Sequence, residues 1–219
     1  MKRADNLYET LVSDENLLRA ITEVNRGHKS KKSNRIFDFT TEHPDEAVAE
    51  LRAIIEQGYV QSEPRKRKHY DQSSQKWREI GTPKLWPDQY IHHAVIQTLE
   101  PVMMRGMDRY CCGSIKGRGT HYGVRAIAKW MHSDKRGTKY CLELDIRHFY
   151  DSLSSVVVKE RLRELIKDAK VLDLCDRILQ HGVPIGFYTS QWFANVVLQP
   201  LDMLIRQSGK AKHYVRSVG

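Results

Sequence analysis

The run YCLELDIRHFYDS, residues 140–152, places a carboxylate, Asp145, at the end of an apolar stretch and follows it with Phe149 and Tyr150. Such an acid, at a strand end and before a turn with free backbone N–H groups, can seat a metal–triphosphate. The carboxylate holds Mg²⁺, the amides meet phosphate oxygens, and a ring five residues on lies under a sugar. A plainer reading makes Asp145 a strand-end acid that caps its own turn. A second candidate is the segment from Tyr59 to Lys84, with seven basic residues against three acidic ones, RKRK at 65–68 among them. With Tyr70 and Trp77 interleaved, it can grip phosphates and stack on bases. It can equally be a solvated face or a nuclear-localisation address. The third is GVPIGFYTSQWFANVVLQPLD, 182–202, whose Gly/Pro turn brings backbone close to a neighbour.

The elements that must position these groups alternate between helices and strands without internal repeats. Residues 7–25 read as one helix, followed by the basic loop RGHKSKKSNR. TEHPDEAVAELRAIIEQG reads as a second, with Pro44 in its first turn, Val48, Leu51, Ile54 and Ile55 on one face, and Gly58 as its stop. Two strand-like pieces then flank the polar turn DQSS. Asp88 is placed to cap a helix lined by Ile91, Val95 and Leu99, and a Gly-rich turn leads to another carrying Val124, Ile127, Ala128 and Met131. In a strand over 140–146, Cys141, Glu143 and Asp145 share one face and Leu142, Leu144 and Ile146 the other, the natural core face. Ser154 can cap the next helix, with Val158, Leu162, Leu165 and Ile166 inward, and Pro200 is expected to end the apolar helix after Gly186.

With 219 residues the chain can bury a real core, and its net charge of +9 favours an acidic partner, nucleic acid first and a membrane surface second. No 18-residue apolar stretch occurs, so a membrane is not expected as partner. Cys111 and Cys112 are adjacent and Cys141 and Cys175 stand apart, which argues against a zinc site or a disulfide framework and suits a reducing cytoplasm.

Taken in order, WREIGTPKLWPDQYIHHAVIQTLEP (77–101), YCCGSIKGRGTHYG (110–123), LDIRHFYDSL (144–153) and the 182–202 block resemble the fingers and palm of reverse transcriptases. The resemblance covers about residues 40–216 and is closest to the bacterial and phage group that includes diversity-generating retroelement enzymes. It implies an α/β (α+β) right-hand fold: an N-terminal helix and basic loop (1–40), a fingers-like region (41–135), and an incomplete antiparallel palm sheet backed by helices (136–219), with no thumb. It also implies RNA-templated addition of dNTPs to a DNA or RNA primer with Mg²⁺ or Mn²⁺.

The resemblance assigns roles residue by residue. Asp145 matches the first metal-binding aspartate, with the Ile146 carbonyl as auxiliary ligand; Tyr150, next to Phe149, matches the gate against ribose. Lys76 and Arg78 match basic residues that reach the triphosphate. Ile185 and Gly186 fall in the block that packs on nucleotide and template. That block reads Ile-Gly then Ser190-Gln191, where most of the family carries Gln-Gly then Ser-Pro. Arg65, Lys66, Arg67, Lys68 and Gln191 are the candidate nucleic-acid-binding residues. Family members typically continue through YVRYMDD, and this sequence reads HYVRSVG, with Tyr214, Val215 and Arg216 but neither aspartate of the Y-x-D-D pair. A truncated product, a shifted frame or a fragment is therefore expected, inactive alone. The alternative is an inactive remnant that binds nucleic acid or a partner protein.

Overall fold

The computed structural model describes residues 2–27, 35–72 and 75–217. The described chain is α+β and mostly helical, with one two-stranded antiparallel sheet. Most of the basic loop expected after the first helix, and the two serines of the DQSS turn, lie outside the described residues.

The expected helix over 7–25 is two: α1 (Tyr8–Leu11) and α2 (Asp14–Arg26). Ser13 breaks them apart because its side chain accepts a hydrogen bond from the Asn16 amide and so begins a new helix. The Asn16 side chain then donates to the carbonyls of Leu11 and Ala94 at 2.9 and 3.1 Å, which fixes the break against the long helix α5 (Tyr90–Met104). Between them run α3 (Arg35–Glu42) and α4 (Pro44–Glu56), which has Pro44 in its first turn as expected. Gly58, at φ +94°, follows the C-terminus of α4 in the left-handed conformation that a glycine adopts without strain.

α5 is the axis of the core. Ile91, Val95 and Leu99 are wholly buried, packed with Leu17, Ala20, Ile21 and Val24 of α2 and with α10 (Tyr188–Val197). Asp88 does not cap α5. It sits one residue inside a tight turn, Leu85–Gln89, and its carboxylate is drawn inward by buried donors described below.

The second half is helical as well: α6 (Thr120–Ser133), α7 (Phe149–Ser152), α8 (Ser155–Leu165), α9 (Ala169–Ile178) and α11 (Gln199–Gln207). Ser154 caps α8 as its position suggests, and Val158, Leu162, Leu165 and Ile166 are buried. Asp168 caps α9 through the amides of Lys170 and Val171 and also accepts from the amides of Leu7 and Tyr8. One carboxylate thus joins the start of the chain to its later half, and one connected core draws on all three expected regions. Pro200 does not end the apolar helix. It lies in the first turn of α11, where its missing N–H has no partner to lose.

Two further expectations fail for one reason. No strand forms over 140–146, and no palm sheet is present among the described residues. Strand pairing is long-range, and no other described segment lies alongside to complete the ladder. The α6 stripe that should face a core is likewise uncovered: Val124, Ile127 and Met131 are exposed. No helix among the described residues is long and apolar enough to cross a membrane.

Candidate nucleic-acid interface

The two strands are β1 (Arg65–Asp71) and β2 (Lys76–Thr82), paired with Arg65 opposite Thr82 and Asp71 opposite Lys76. Because side chains alternate, this register sorts what the sequence interleaves. Arg65, Arg67 and His69 share a face with Arg78 and Lys76, and Asp71 is its one acid. The other face carries Lys66 and Lys68 beside Tyr70 and Trp77, with Glu79. Tyr70 and Trp77 stand opposite each other with ring centroids 5.2 Å apart, and Trp77 is 68% exposed. The Trp77 ring is thus open to solvent beside Tyr70.

Electrostatics favour an anion. Lys66 pairs with Glu79 at 3.0 Å and Arg78 with Asp71 at 3.1 Å. Arg65, Arg67, Lys68 and Lys76 have no ion-pair partner among the described residues, so the hairpin retains an excess of positive charge in solvent.

The exposed end of this ribbon has a rigid base, built from residues that sequence reasoning did not single out. Tyr59 and Gln61 lead into β1, while Asp88 follows β2, and all three are buried. The Tyr59 hydroxyl lies 2.7 Å from Gln61 Oε1 and 2.9 Å from Asp88 Oδ1. The Gln61 amide donates to Asp88 Oδ2 at 3.0 Å, and the Lys84 amide donates to the same oxygen. His92 of α5 closes the set, with Nε2 2.7 Å from Gln61 Oε1. Burial pushes the Tyr59 hydroxyl well above its ordinary range, with the Asp88 charge adding to it, so Tyr59 stays protonated. Burial also lowers His92 to about 3, with the neighbouring His93 acting in the same direction. His92 is thus neutral, and Nε2–H is the tautomer that serves Gln61. Its position inside the apolar face of α5 was the one clue the sequence offered.

The Ile185–Gly186 block completes the base. The Gly81 amide donates to the Ile185 carbonyl at 2.7 Å, so the loop is bonded to β2. A Cβ on Gly186 would stand 2.5 Å from Ile80 Cγ2 and 2.6 Å from the Gly81 carbonyl oxygen, at φ +107°. Only glycine fits this crossing. The next residue, Phe187, packs its ring against His92 at 5.0 Å. Gln191 is exposed on α10.

The remaining candidates are not gathered there. Asp145 is exposed and has no hydrogen bond or ion pair among the described residues, and Ile146 is half exposed. Tyr150 is partly buried against the core beside Leu153, with Phe149 at 5.4 Å edge-on, and burial raises its hydroxyl. Among the described residues no group of three His, Cys, Asp or Glu side chains could hold a metal ion. Asp145 and the Ile146 carbonyl therefore belong to no such group.

Tyr214 and Arg216 have a structural role. The Arg216 guanidinium grips both Asp202 oxygens at 2.8 and 2.7 Å, and the Tyr214 hydroxyl donates to the same carboxylate. Residue 216 also pairs in parallel with Cys111, through Cys112 N–H to Arg216 O and Arg216 N–H to Tyr110 O. No protein-family profile matches this chain, and no curated protein matches its sequence.

Proposed function

We propose that this chain binds nucleic acid through the β1–β2 hairpin, as the fingers of a reverse transcriptase-type protein would. The observation that carries this reading is the hairpin: cations without ion-pair partners on one face, bare aromatics beside lysines on the other, and a buried base that holds both. A flexible charge run would need no such base. Phosphates attract the cationic face by counterion release, and unstacked bases find rings on the opposite one.

The finer reading is RNA-templated polymerisation of dNTPs. Its support is the order of the four sequence blocks, together with the bond between two of them, Gly81 to Ile185. In that reading Lys76 and Arg78 meet triphosphate and the partly buried Tyr150 stands under the sugar. The hairpin's task is to bind and orient. No catalytic step is assigned to Asp145, because among the described residues it belongs to no group of three possible metal-ligating side chains.

Binding to an RNA–DNA hybrid, followed across salt concentrations, tests the interface. Replacing Arg65, Lys66, Arg67 and Lys68 by Gln should lower the slope of log K against log salt by roughly 2–4 units, at about 0.7–0.9 for each phosphate that is no longer neutralised. Asp145→Asn should leave the slope unchanged. If the slope and affinity survive the four substitutions, the run is a solvated face and the proposal fails.

A further inference from the structure

Where α1, the end of α4 and the first turns of α9 meet, they form a cleft of about 560 Å³, within the size range of small-ligand sites. One wall is a face of α9, on which Lys170, Asp173, Leu174 and Arg177 recur at helical spacing. The other wall is Tyr8, Ile55, Glu56 and the Gly58–Tyr59 link. Of the four charges, two are matched to each other. Arg177 Nε donates to Asp173 at 2.7 Å, and the guanidinium lies against Gly58, where a Cβ would stand 3.5 Å from Nη1. Lys170 and Glu56 are not matched: neither has an ion-pair partner among the described residues. The Lys170 ammonium sits 4.6 Å from the centroid of the Tyr8 ring. Glu56 is the last residue of α4, at the negative end of that helix, with no basic residue in the last turn to offset it. Burial raises the Tyr8 hydroxyl, and the Glu56 charge is the first of the charges that raise it further. The two unmatched charges therefore flank one ring.

We propose that this cleft binds a zwitterionic small molecule with an apolar body, of the class of short aliphatic peptides, its ammonium on Glu56 and its carboxylate on Lys170. A simple anion would gain Lys170 and meet repulsion from Glu56, and a simple cation the reverse. A molecule that carries both signs satisfies both walls, and an aliphatic body between them covers Ile55 and Leu174. The cleft also touches the hairpin's base. Tyr59 lines it, and the Tyr59 hydroxyl is the one bonded to Gln61 and Asp88. An occupant and the base thus share a residue, so binding should steady the link that enters β1. The site does not rest on the nucleic-acid reading, and its test uses no nucleic acid.

Titration of the full chain with leucyl-leucine at low salt, followed by calorimetry and by amide chemical shifts, tests it. Binding should be saturable and one-to-one, with the shifts concentrated at 55–59 and 169–177. N-acetyl-leucyl-leucine lacks the ammonium and leucyl-leucinamide lacks the carboxylate, and each should bind about tenfold more weakly. Glu56→Gln should weaken leucyl-leucine about tenfold and leave the acetylated peptide unaffected, while Lys170→Gln should do the same for leucyl-leucine and spare the amide. Both side chains are exposed, so the variants keep the fold, and circular dichroism checks that they do. The absence of saturable binding overturns the proposal. So do shifts confined to another part of the molecule, blocked peptides that bind as well as the zwitterion, or variants that bind leucyl-leucine as the wild type does.

Discussion

Residues 65–82 and 139–147 are made of similar material, alternating side chains with charges and exposed rings or aliphatics, yet one is a ribbon and the other has no regular structure. The difference lies outside both segments. The hairpin contains its own partner strand a short turn away, and at its base Tyr59, Gln61, Asp88, His92 and Gly186 hold it from several directions. Among the described residues the 139–147 segment has no strand partner and no buried polar anchor. Alternation states which face a strand would bury; pairing decides whether there is a strand at all.

The largest expected effect comes from breaking the anchor with acid. His92 has its pKa lowered from 6.5 to about 3, so the unfolded chain binds a proton that the folded chain refuses. The stability this confers is complete above pH 6.5 and is lost progressively as pH falls toward 3. The full loss is on the order of 5 kcal/mol at about 1.4 kcal/mol per pH unit. Protonation would also place a second N–H at Nδ1, which is buried without a hydrogen-bond partner. His92→Gln can still donate to Gln61 but does not titrate. Its urea-unfolding free energy should be lower at neutral pH and flatter between pH 6.5 and 3 than that of the wild type. Parallel pH curves for the two proteins would show that His92 is not the acid-sensitive group.

How much of this contrast was legible in the sequence follows from distance along the chain. Local signals were readable: Pro44 and Gly58 around α4, the strand pieces around a polar turn, and Ser154 before α8. A one-residue signal, Ser13, is masked within a longer apolar period and splits the first helix. The base of the hairpin was not legible, because Gln61 reaches 27 residues to Asp88 and 31 to His92. The Arg216–Asp202 pair is equally silent, two charged residues that a local pattern assigns to the surface. For the candidate site, alternation of RKRK with Tyr70 and Trp77 was visible, but the separation of cations from rings required the register. Asp145 was visible as a carboxylate at the end of an apolar run, and its isolation was not.

A smaller effect separates the hairpin's base from its tip. Gly186→Ala forces a methyl group into Ile80 and the Gly81 carbonyl at a φ that L-residues avoid, and should cost roughly 2–3 kcal/mol. The loss should appear as faster amide exchange in β2 and the 183–187 loop. Nucleic-acid affinity should fall through poor positioning, with the salt slope retained because every cation remains. A reduced slope would mean that the block itself touches phosphate.

The smallest expected effect is the sharpest test of the other region. Amides 140–147 have no backbone acceptor among the described residues, so in dilute solution they should exchange near the rate of an unstructured peptide while the amides of α5 are strongly protected. Leu142→Ser should then change monomer stability by no more than about 0.5 kcal/mol, because an 81% exposed side chain has little burial to lose. Strong protection already present at high dilution would show that a strand partner exists within one chain, and the contrast between the two regions would disappear.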